Sequence, residues 1–182
     1  MKKSTLFSGL GVGALGLGAL YVATRPKPAP LPTVPSVDLA RYAGKWYEIA
    51  AFPQRFEKGC HCTTAQYTLK EGYVEVRNSC RKNSPNGPLK ETVGKAFPVE
   101  GSHNAKLKVQ FFWPFKGDYW ILSLAPDYSH VLVGAPDRQY LWILARTRHL
   151  DQTAYDQLVQ DAQGLGFDTR KLRKADQRCP DR

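Results

Sequence analysis

The sequence predicts an all-β domain, an antiparallel barrel or sandwich of eight strands, followed by one α-helix. Two observations lead to this class. From Lys45 onward, short runs rich in β-branched and aromatic residues recur between turn signals. After the last of them, and only there, the apolar spacing changes to that of a helix.

Residues 1–24 precede the domain. Lys2 and Lys3 lead into an uncharged run from Ser4 to Thr24, rich in Leu, Gly, Ala and Val, as in a secretory signal peptide or an N-terminal membrane anchor. No cysteine follows that run before Cys60, so no lipid attachment at a leader cysteine is expected. Residues 25–37 contain five prolines and read as an extended spacer. The domain is therefore expected over 38–182.

The strands are expected at 45–51, 63–70, 73–79, 90–98, 105–112, 118–125, 130–135 and 140–146. Glu71-Gly72, Pro85-Asn86-Gly87, Gly101-Ser102, Lys116-Gly117 and Pro136-Asp137 mark breaks between them. Eight strands at short spacing argue against alternating βαβ units. The helix is expected over 151–165, capped by Asp151, with Ala154, Leu158, Val159, Ala162 and Leu165 on the face that packs on the outside of the sheet.

Composition narrows the function. With 42% hydrophobic and 12% aromatic residues the chain can bury a core. Its net charge of +10 permits attraction to anionic lipid or nucleic acid without selecting either. The aromatics follow strand alternation rather than a basic groove, so no nucleic-acid partner is expected. His61, His103, His130 and His149 are scattered without metal-ligand spacing, and neither a nucleophile motif nor a phosphate loop occurs. No cofactor, metal or catalytic residue is expected. Cys60, Cys62, Cys80 and Cys179 lack zinc spacing, and in an exported chain they read as two disulfides, for which three connectivities exist.

Three motifs then give a resemblance. Gly44-Lys45-Trp46 opens the first strand, Asp127-Tyr128 lies between the sixth and seventh, and Arg146 ends the eighth. In this order they resemble the three motifs of the lipocalins, and the surrounding wording is most similar to the bacterial outer-membrane lipocalin and apolipoprotein D branch. The resemblance implies an eight-stranded antiparallel up-and-down β-barrel with the C-terminal α-helix packed outside. Trp46 would plug one end and Arg146 would lie over its indole face. It also implies a Cys62–Cys179 disulfide. The turn at Glu71-Gly72 brings Cys80 back toward Cys60, the second expected pair.

The resemblance places Tyr67, Phe111 and Tyr119 in the cavity, with Val109 and Ile121 beside them. Alternation adds Ala65 and Leu69 to Tyr67, and an inward Arg146 brings Leu144, Trp142 and Tyr140 inward. Such a set implies an apolar cavity with phenolic and indole tips, suited to a fatty acid, a lysophospholipid or a similar lipid. Arg55 and Lys58 in the first loop could meet an anionic head group. The expected role is binding, storage or transport of that ligand in the bacterial cell envelope, with the N-terminal segment on a membrane and no enzymatic step. The alternatives are a lipocalin-fold enzyme acting on a bound lipophilic substrate, and an interaction scaffold whose barrel is filled. Oligomeric state is not legible.

Overall fold

The computed structural model describes residues 30–180. The leader, including residues 4–24, lies outside the described residues. Strands β1 (Gly44–Ala51), β2 (Cys60–Lys70), β3 (Tyr73–Lys82), β4 (Leu89–Pro98), β5 (Lys106–Phe112), β6 (Phe115–Leu124), β7 (His130–Gly134) and β8 (Leu141–Ala145) pair antiparallel in chain order. β1 pairs with both β2 and β8, which closes the sheet into a barrel. Closure leaves no free edge among these eight strands and settles the choice between barrel and sandwich.

The sheet separates two cores. Trp46, Tyr67, Val74, Val76, Leu107, Ile121, Val131, Val133 and Leu144 are buried inside the barrel. Outside it, Leu132, Leu141, Ile143 and Phe52 pack against Leu158 and Ala162 of helix α2 (Gln152–Gly164) and against Phe167. Asp151 caps α2 by accepting from the N–H groups of Thr153 and Ala154 at 2.9 and 3.3 Å, as its position before the apolar repeat predicts. Gly134 permits this packing: a Cβ there would come within 2.7 Å of the Phe167 ring.

Three local features depart from the sequence expectation. The β5–β6 turn sits at Trp113-Pro114 rather than Lys116-Gly117, and β6 begins at Phe115. Pro114 has no N–H to give a ladder, so the turn is where it fits. A short helix, α1 (Leu39–Tyr42), precedes the barrel, capped by Asp38, whose carboxylate accepts from the Ala40 N–H at 2.8 Å. Within the proline-rich segment, Leu31, Val34 and Val37 recur every third residue, the repeat of a polyproline-type chain. All three pack on the barrel, and the Val34 N–H donates to the Ile121 carbonyl at 3.0 Å.

The C-terminal segment straps the barrel. β9 (Arg173–Lys174) pairs with Ala50 and Ala51, and the Gln177 amide donates to the carbonyls of Glu48 and Thr63 at 2.8 and 2.9 Å. A register shift between His61 and Thr64 breaks β2 pairing at Cys62, whose backbone φ is +53°. Its N–H donates to the Asp176 carbonyl at 2.7 Å. The bulge aims Cys62 at the tail. The disulfides are Cys62–Cys179 and Cys60–Cys80, with Cα separations of 6.1 and 5.4 Å.

Candidate ligand site inside the barrel

The closed end is built from the three sequence motifs and α1. Trp46 is fully buried and donates its indole N–H to the Tyr42 carbonyl at 2.8 Å. The Arg146 guanidinium lies 3.9 Å from the Trp46 ring centroid and donates to the carbonyls of Arg41, Tyr42, Lys45 and Tyr128. Gly44 makes room beside it. Its φ is +96°, and a Cβ there would stand 3.3 Å from the guanidinium. The Asp127 carboxylate accepts from the Ser129 N–H, shaping the β6–β7 turn. That turn presents the Tyr128 hydroxyl as acceptor for the Asp38 N–H at 3.0 Å and the Tyr128 ring to Arg41 at 4.1 Å. These residues pack together across one end of the barrel.

Above the plug stands a cluster of phenols. The hydroxyls of Tyr42 and Tyr67 lie 2.7 and 2.8 Å from that of Tyr119. Burial raises all three, Tyr67 to about 12, so each is a neutral hydrogen-bonding group in this site. Tyr119 stacks toward Trp142 at 6.4 Å, and Trp142 stacks on Tyr140 at 6.0 Å. Phe111, Tyr119, Trp142, Val109 and Ala65 pack against the inner core but remain partly exposed. Leu144 is buried with them, and Tyr140, 41% exposed, sits at the mouth. Five of the six residues expected to line the cavity, Tyr67, Phe111, Tyr119, Trp142 and Leu144, thus pack at the inner core, and Tyr140 reaches them through its stack on Trp142. Leu69 is 44% exposed.

Two acidic residues at the site were not expected from the sequence. Glu48 pairs opposite Leu144 and so shares its inner face; it is 8% exposed. Glu57 belongs to the 3-10 turn Arg55–Glu57 in the β1–β2 loop, and its carboxyl lies near the Trp142 indole. Burial raises Glu57 to about 7, with the Trp142 indole opposing. Burial, then the nearby Glu57, raises Glu48 well above the carboxylate range. Alternation from Trp46 along β1 would have found Glu48. Glu57 lies in a loop and has no periodic signal. Arg55 and Lys58 are exposed.

A stability dependence follows. Below about 4.5, Glu57 is protonated in both folded and unfolded chains and its shift changes nothing. Between there and about 7 only the unfolded chain loses the proton, so stability falls as pH rises. Glu57→Gln should match the parent near pH 4 and exceed it by about 1–3 kcal/mol near pH 8. Urea unfolding at both pH values checks this. An equal difference at the two would contradict it.

Comparison with known proteins agrees with this geometry. Residues 37–177 match the family of the lipocalin-like domain. The chain belongs to the lipocalin family. It is 43% identical to temperature-induced lipocalin-1 of Arabidopsis thaliana over 153 residues, 79% of this chain and 81% of that one. It is 38% identical to the outer membrane lipoprotein Blc of Escherichia coli K12, covering 87% of this lipocalin and 92% of the relative. Apolipoprotein D of Macaca fascicularis is 35% identical, with 82% of each chain covered. Among the described residues of this lipocalin, no group of three or more His, Cys, Asp or Glu could hold a metal ion.

Proposed function

We propose that this lipocalin is a non-enzymatic carrier that reversibly binds one single-chain amphiphile, a fatty acid, lysophospholipid or similar lipid, in the bacterial cell envelope. The observation that carries this reading is the partial exposure of Phe111, Tyr119 and Trp142 on the inner surface. An acyl chain would cover it. Burying a methylene is worth ~0.8 kcal/mol, so a dozen supply ~10 kcal/mol before ordering costs, against the ~8 kcal/mol that micromolar affinity needs.

Residues 4–24 would tether the carrier to a membrane, and the mouth would meet the bilayer. Successive hairpin turns alternate between the two ends of an up-and-down barrel. The β1–β2, β3–β4, β5–β6 and β7–β8 connections therefore share the end opposite α1. Phe56, Leu89 and Tyr140 are 59, 55 and 41% exposed there, and Phe112, Trp113 and Phe115 are 72, 87 and 77% exposed. Arg55, Lys58, Lys82, Lys90 and Lys116 stand among them, which suits an anionic lipid surface.

Vesicles of anionic phospholipid carrying a lysophospholipid test both parts. Tryptophan fluorescence should change as the protein extracts the ligand. In Trp113→Ala/Phe115→Ala, extraction should slow severalfold while uptake of dispersed ligand is unchanged. A variant as fast as the parent would remove the mouth from the membrane step. A parent that takes up neither lysophospholipid nor fatty acid at tens of micromolar would sink the carrier reading.

A further inference from the structure

We propose that the inner surface of the barrel beyond the Trp46 plug holds an ammonium subsite, in which Glu48 and Glu57, beside the indole of Trp142, hold the protonated amine of a single-chain amphiphile. This rests on the carrier reading and narrows its ligand class. Glu48 faces inward opposite Leu144, two residues along the same face from Trp46, and is only 8% exposed. No hydrogen bond or ion pair of its carboxyl is present among the described residues. A carboxyl with no protein partner, on the inner surface where the carrier reading seats the ligand, is open to a donor that the ligand brings. The second acid, Glu57, lies near the same indole, and no cation pairs with it among the described residues.

The aromatic wall points to the same chemistry. Tyr140, Trp142 and Tyr119 form a stacked series down this side, with centroids 6.0 and 6.4 Å apart. Indole and phenol faces attract ammonium groups, and carboxylates supply short, charge-assisted hydrogen bonds to them. An alkylammonium entering here would let both acids ionise against a partner. A fatty-acid carboxylate would instead add a third acid beside the two. The site therefore discriminates by the sign of the head group.

The test compares dodecylamine, dodecanol and laurate, which share a chain length and differ in head group, on the full chain near neutral pH. Binding is read by tryptophan fluorescence and calorimetry below the micelle-forming range. The amine should bind about tenfold or more tighter than the carboxylate, with the alcohol between. In Glu48→Gln/Glu57→Gln the amine should lose that advantage while dodecanol binds as before, which also reports an intact cavity. Single variants provide the same readout should the double variant fail to fold. Equal binding of all three by the parent, or tighter laurate, would overturn the ammonium subsite and leave the carrier standing. Failure of all three to bind would overturn the carrier reading itself.

Discussion

Trp46→Ala should cost this lipocalin about 3–5 kcal/mol in urea unfolding. The indole has no exposed surface, so its removal leaves a cavity against Tyr42 and the strands around it. Two further losses add to the cavity. The Tyr42 carbonyl loses the indole N–H, and the Arg146 guanidinium loses the ring beneath it. Arg146→Lys should cost less. An ammonium keeps the charge but cannot lie flat on the ring while reaching the carbonyls of Arg41, Tyr42, Lys45 and Tyr128 from one plane. A Trp46→Ala loss below about 1 kcal/mol would mean that the closed end does not depend on the plug.

Removing the Cys62–Cys179 bond should be the other large effect. Its partners are 117 residues apart in sequence, against 20 for Cys60–Cys80. The chain-entropy account assigns ~4–5 kcal/mol to the longer loop as an upper figure, about 1.5 kcal/mol more than to the shorter one. Paired Cys→Ser replacement at 62 and 179 should therefore destabilise more than replacement at 60 and 80. The long bond also holds the tail whose Gln177 amide bridges β1 and β2, so local fraying adds to the loss. Equal effects, or the reverse order, would contradict this account.

The parts of the structure legible in the sequence are those with a period or a motif. Alternation from Arg146 assigned Leu144 and Trp142 to the inner face, where strand pairing with Val131 and Val133 puts them. Asp151 marked the helix start within one residue. What escaped had a weaker signal. Leu31, Val34 and Val37 are three apolar residues diluted by prolines, and their packing on the barrel overrides a composition that reads as a spacer. Helix α1 is a single turn, too short for apolar periodicity, and Asp38 was its one sign. Glu48 escaped for a different reason: a carboxylate on an inward strand face contradicts the expectation of an apolar lining. Places where local rules fail in this way are where function is to be sought, and Glu48 is the clearest such place in this chain.

Native mass spectrometry of the protein recovered from its own cells without detergent tests the carrier account most directly. The account predicts a population at the mass of the disulfide-bonded chain plus one single-chain amphiphile, which collisional activation releases intact. Trp142→Ala should shift that population toward the bare chain. Bare parent protein that still takes up no lipid when fatty acid or lysophospholipid is added would contradict the account, and would leave the barrel as a scaffold filled by its own side chains.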